Sequence, residues 1–216
     1  MRAADEGFPV THRISIDPVG DVPHDALDAL RHGEIVAYPT DTLYGLAVDP
    51  RQREAVARLR RVKGRAGLSG LPLIAGSLAQ VESGLGPLPP LGRRLAATWW
   101  PGPVTLIFMP TANLADGVTA ADASVAVRVP GTEPARRLAL ASGYLITATS
   151  ANPAGETPAA TGEEVENLFG PLVSITLEQA GVLRGEPSTI VDIRGVAPVL
   201  VRAGVVPWDR VLQSAS

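Results

Sequence analysis

The feature that most constrains this chain is a series of short apolar runs, each closed by glycine, proline or a polar turn. They are EIVAYP (34–39), PLIAG (72–76), VTLIFM (104–109), SVAVRV (124–129), YLITAT (144–149), LVSITL (172–177), TIVDI (189–193) and PVLVRA (198–203). Runs of this length, rich in β-branched residues and bounded by turn formers, read as strands. Helical spacing of apolar residues lies between several of them, at 25–32, 51–63, 91–98, 133–142 and 163–169. Gly33 follows the first of these patterns where a helix cap belongs. Strands interleaved with helices predict an α/β fold, with a twisted, mostly parallel or mixed sheet flanked by helices, because parallel strands need crossover connections.

No internal repeat, low-complexity tract or Ser/Gly-rich linker interrupts the 216 residues. The expectation is one domain over 1–216 with a core of about 22–206, and frayed ends at 1–10 and 212–216. No stretch approaches the roughly 18 uninterrupted apolar residues of a membrane-spanning helix. The first ten residues hold Asp5, Glu6 and Pro9 and no apolar run, unlike a signal peptide, so a cytoplasmic protein is expected. The absence of cysteine excludes disulfides, thiolate catalysis and cysteine-held metals. A net charge of −3 argues against binding nucleic acid through bulk charge, although a local basic patch stays open.

Candidate chemistry begins with exclusions. His12, His24 and His32 stand apart from any acidic or hydroxyl cluster and read as surface or capping residues. Ser69 has the wrong neighbours for a nucleophile elbow, and no histidine follows it. KGRAGLSG (63–70) lacks the order of a P-loop.

Small polar and cationic residues at the ends of apolar strands are more informative. PTDTLYG (39–45) offers Thr40, Asp41, Thr42 and Tyr44; taken alone it is a polar turn, and of two roles open to Asp41 and Asp192, orienting a metal or capping a turn, the cap is favoured. TATSANP (147–153) ends a strand in Thr149, Ser150 and Asn152, with small Ala148 and Ala151 open to a ligand's approach. Arg128 and Arg202 each stand alone in an apolar strand, and a buried guanidinium needs either an internal carboxylate or a bound anion. Residues 51–65 carry seven cations and one acid, a solvated helix face by default, but Lys63 and Arg65 leave the helix for a Gly-rich loop suited to phosphate.

Taken in order, PTDTLYGL (39–46), KGR (63–65), WPGPVTLIF (100–108), VAVRVPG (125–131), TSANPAGETP (149–158), STIVDI (188–193) and VRAG (201–204) resemble the YrdC-like family, the threonylcarbamoyl-AMP synthases. The resemblance implies the YrdC-like fold, an open α/β sheet with a positively charged cavity. It implies synthesis of L-threonylcarbamoyladenylate and pyrophosphate from L-threonine, bicarbonate and ATP with Mg²⁺. A transfer complex would pass the product to tRNA, and direct tRNA contact is a further implied partner. No protein-held metal is expected.

Residue by residue, the resemblance assigns ATP and the reacting carbamate to Lys63, Arg65, Ser150 and Asn152, and further nucleotide contacts to Thr105 and Arg202. It assigns threonine to Thr40, Thr42, Tyr44, Arg128, Ala148 (through its backbone) and Ser188. The chain departs from the family pattern between Arg65 and Pro72, where the loop is about two residues longer. Leu71 stands where Lys or Asn is common, and Gly76 replaces a frequent His. Two other readings compete: an RNA-binding module using the 51–65 helix, and a carbamoyl-adenylate domain of the hydrogenase-maturation kind. Finally, 18 of the 19 basic residues are arginine, so Lys63, the one lysine, falls on a family lysine position.

Overall fold

A computed structural model describes residues 12–64, 70–183 and 185–215. In chain order the strands are β1 (His12–Ser15), β2 (Val36–Pro39), β3 (Tyr44–Ala47), β4 (Leu73–Ile74), β5 (Val104–Phe108), β6 (Val125–Arg128), β7 (Ile146–Thr147), β8 (Thr149–Ser150), β9 (Ile175–Glu178), β10 (Thr189–Asp192) and β11 (Val199–Arg202). The helices are α1 (His24–Arg31), α2 (Arg53–Val62), α3 (Leu78–Leu85), α4 (Pro90–Trp99), α5 (Glu133–Ser142), α6 (Gly162–Phe169) and α7 (Trp208–Ala215). Among the described residues no helix is long and apolar enough to cross a membrane.

The fold is α/β with mixed sheets, and the strands form two of them. One runs β1-β9-β2-β3-β8 and the other β11-β10-β5-β6-β4-β7. Antiparallel pairs are as prominent as parallel ones, because several connections are too short for a crossover. The turn 40–43 forces β2 and β3 antiparallel, and the link 193–198 does the same for β10 and β11. Parallel pairing survives where a helix intervenes, as between β4 and β6 or β5 and β10.

Period-two alternation divides the apolar side chains between two clusters. Val36 and Tyr38 of β2 face one cluster with α1 and α5, while Ile35 and Ala37 face the larger cluster with α2 and α4. β2 is buried on both faces and apolar throughout, which makes it conspicuous in the sequence, whereas β3, equally buried, follows directly on the polar turn 40–43 and was not expected as a strand.

The C-terminal segment corrects an expectation. Residues 208–215 are a helix docked on α4, not a frayed end: Val211 and Ala215 are buried, Trp99 Nε1 donates to Ser214 Oγ at 2.8 Å, and Arg94 Nη2 donates to the Ala215 carbonyl at 2.9 Å. The apolar stripe Trp208, Val211, Leu212 and Ala215 has helical spacing, and what the sequence does not show is the α4 surface that covers it. The expected fraying of 1–10 lies outside the described residues. Val211→Asp would bury a lone carboxylate or undock the helix, and should lower the melting midpoint by roughly 5–10 °C in calorimetry. An unchanged midpoint would show that α7 contributes nothing to the fold.

Candidate active site

Strand register builds the site. Ile190 pairs with Thr105 on one side and Arg202 on the other, so Thr105 and Arg202 lie abreast across β5, β10 and β11. Ile74 of β4 pairs with Arg128 of β6 and Ile146 of β7, extending the same row. The chain then crosses between sheets, since β7 belongs to the second sheet and β8 to the first, with Ala148 alone between them. A cavity of about 480 Å³ opens where the two sheets meet, within the range of small-molecule sites.

Nine of the expected site residues line this cavity: Thr40, Thr42, Tyr44, Thr105, Arg128, Ala148, Ser150, Ser188 and Arg202. Thr40 Oγ1 donates to the Leu43 carbonyl at 2.6 Å and lies 3.0 Å from Thr42 Oγ1, so its hydroxyl shapes the β2–β3 turn. Tyr44 is buried, burial raises its hydroxyl pKa above the ordinary value, and its oxygen accepts from Gln179 N at 3.4 Å. Ala148 donates its N–H to the Pro72 carbonyl at 2.8 Å. Thr105 Oγ1 and Ser188 Oγ stand 2.9 Å apart, and Arg202 Nη2 donates to the Ser188 carbonyl at 2.8 Å.

The two arginines differ. Arg128 is largely shielded, as the sequence suggests, and of the alternatives open there an internal carboxylate satisfies it, that of Asp41. Arg202 departs from expectation, because β11 is an exposed edge strand. No described carboxylate pairs with it, and partial desolvation, with the Arg128 charge nearby, holds its pKa below the ordinary value. A cation so placed favours an anionic ligand. Asp41 is therefore no turn cap, whereas Asp192 is one: its carboxylate accepts from the Arg194 N–H at 2.9 Å.

Lys63 and Asn152 stand behind the cavity wall. Lys63 is buried, and its Nζ donates to the carbonyls of Ser150 and Asn152 and, at 2.8 Å, to Asn152 Oδ1. The Lys63 carbonyl accepts from Ala154 N at 3.0 Å, and Ser150 Oγ donates to Asn152 Oδ1 at 2.6 Å. In this structure the lysine thus braces the turn that carries Ser150. Arg65 and Ser69 lie outside the described residues.

The departures have physical causes. Leu71 is buried in the larger apolar cluster. A β-carbon at Gly76 would fall 2.1 Å from Leu140 Cγ and 2.7 Å from the Arg136 carbonyl, so α5 packs where a longer side chain would stand. Along α2, Arg53 pairs with Asp116 at 2.9 Å, and Arg58 and Arg60 donate to the carbonyls of Gly33 and Gly117. Part of the basic run therefore serves the fold. Sequence reasoning missed Tyr38, whose hydroxyl donates to the Thr147 carbonyl at 3.2 Å, and Gly185; both line the cavity but carry no motif of their own.

A family model for the Sua5/YciO/YrdC domain, described as "Telomere recombination", matches residues 28–204. The chain belongs to this family. Among curated members, a threonylcarbamoyl-AMP synthase of Thiobacillus denitrificans is 38% identical over 164 residues, covering 76% of this chain and 87% of that protein. One from Chromohalobacter salexigens is 39% identical over 172 residues, covering 79% and 91%. The solved structure of P. abyssi Sua5 complexed with L-threonine superposes with a TM-score of 0.86 at 29% identity, over 94% of this chain. This chain spans 61% of that longer family member.

The brace at Lys63 is testable. Lys63→Met removes the donor from three oxygens, at about 1–3 kcal/mol for each one left unsatisfied. The melting midpoint should fall by at least about 5 °C. Lys63→Arg should not restore it, because a planar fork cannot converge three N–H groups on one turn. Full stability of Lys63→Met would remove the brace.

Proposed function

We propose that the cleft makes L-threonylcarbamoyladenylate and pyrophosphate from L-threonine, bicarbonate and ATP, supplying tRNA threonylcarbamoylation through a separate transfer complex. One observation carries the reading: Arg128, a carboxylate-shaped fork, and Arg202, a cation without a described acidic partner, line one cavity together with hydroxyls. The names of the curated relatives and the threonine complex of P. abyssi Sua5 support the same substrates.

The chemistry suits a site without histidine or cysteine. The threonine amine and bicarbonate give a carbamate and water. A carbamate oxygen then bonds to the α-phosphorus while the bond to the β-phosphate's bridging oxygen breaks and pyrophosphate leaves. The carbamate is already anionic, so orientation and charge neutralisation carry most of the work. Arg128 would take the threonine carboxylate, and the 40–42 turn, Tyr44 and Ala148 would shape the amino-acid pocket. Arg202, Thr105 and Ser188 would face the nucleotide, with Ser150 and Asn152 held nearby by Lys63. A cation about 4 Å from a phosphate oxygen is worth on the order of 4 kcal/mol at an effective dielectric near 20.

No group of three or more His, Asp or Glu among the described residues is placed to hold a metal. A Mg²⁺ entering with ATP would be held by its phosphates, where it neutralises charge. With Mg²⁺ present, pyrophosphate release from ATP should require both L-threonine and bicarbonate. Arg202→Ala should lower kcat/KM for ATP by about 10²-fold. A folded protein whose pyrophosphate release responds to neither substrate would sink the synthase reading.

A further inference from the structure

One ion pair joins the two sheets at the cavity rim. Asp41, in the turn between β2 and β3, accepts through Oδ2 and Oδ1 from Nη1 and Nη2 of Arg128 at the end of β6, each at 3.0 Å. The pair is largely shielded, the side chains being 11% (Arg128) and 24% (Asp41) accessible. Asp41 approaches from outside: Thr40, Thr42 and Arg128 line the cavity and Asp41 does not.

Its backbone has little freedom. Gly185 N donates to the Thr42 carbonyl at 3.2 Å, and a β-carbon at 185 would fall 2.0 Å from the Asp41 carbonyl oxygen. A guanidinium offers five N–H groups, and Asp41 engages the Nη1–Nη2 edge. No described residue accepts from the Nε edge, which is a second fork matched to a carboxylate.

On the synthase reading, the cavity must hold two anions of different character. Polyphosphate responds to net charge, while an amino-acid carboxylate beside its own ammonium responds to a fork's shape. Arg128 and Arg202 are close enough for one to depress the other's pKa. They are distinguished by Asp41, which cancels the charge of Arg128 and leaves its Nε edge intact, while Arg202 keeps its charge.

We propose that Asp41 is a specificity-determining residue that sorts the two anions, reserving Arg128 for the amino-acid carboxylate by keeping polyphosphate off it. It touches neither ligand and acts through Arg128.

The test is calorimetric titration of inorganic pyrophosphate and L-threonine into the wild-type chain, Asp41→Asn, Asp41→Glu and the double variant Asp41→Asn/Arg128→Gln, with melting midpoints recorded for each. Asp41→Asn should bind pyrophosphate about tenfold or more tightly than wild type. That gain should vanish in the double variant and be absent from Asp41→Glu, which keeps the charge. L-Threonine should compete with pyrophosphate in Asp41→Asn and not in wild type. Where Asp41→Asn does not fold, Asp41→Ser takes its place.

Pyrophosphate binding no tighter than wild type, or a gain that persists without Arg128, overturns the proposal. The titration is independent of turnover. A wild type that makes no adenylate yet shows the pyrophosphate gain in Asp41→Asn would refute the synthase reading alone.

Discussion

A buried ammonium holds the place where this protein changes sheets. Between β7 and β8 the chain leaves one sheet and joins the other, and the turn beyond β8 receives Lys63 from beneath. A lysine without water is costly unless its donors meet acceptors, and two backbone carbonyls and a side-chain amide provide them. The contact links the end of α2, the 150–154 turn and the cavity wall. It fixes the carbonyl of Ser150 directly.

Around that joint, the two arginines show how identical side chains take different tasks. Both sit at the same end of the second sheet because register aligns them with Ile74 and Ile190. Arg128 is shielded and answered by Asp41, which turns a bare charge into a directional fork. Arg202 lies on an edge strand and is answered by the carbonyl and hydroxyl of Ser188. Synthesis of a mixed carbamic–phosphoric anhydride brings an amino acid and a nucleotide together, and on the proposed assignment such a division would keep each in its own half of the cavity.

Helix patterns were readable wherever an apolar stripe ran against charged residues, and α1, α2, α4, α5 and α6 begin and end within two residues of their expected bounds. α3 escaped because it is weakly amphipathic. α7 escaped although Trp208, Val211, Leu212 and Ala215 form an apolar stripe at helical spacing, because the end of the chain, 212–216, was expected to fray. At the site, a hydroxyl or guanidinium at the end of an apolar strand stands out against its neighbours, so Ser150 and Arg128 were legible from local pattern, whereas Thr105 and Ser188 were reached only through the family motifs. Gly185 and Tyr38 were not, since a glycine's tight contact and a tyrosine's carbonyl partner exist only once distant segments meet.

The chain by itself determined the α/β class, the family through its ordered motifs, and the presence of one lysine among eighteen arginines at a family position. These are properties of local pattern and order, which survive without coordinates. Tertiary structure decided that this lysine braces a turn, that Arg202 is exposed, and that Asp41 serves Arg128 from outside the cavity. Each of those depends on which side of a strand or turn a charged group meets its partner. That choice is made by register and by the meeting of two sheets, with partners up to 89 residues apart in the chain.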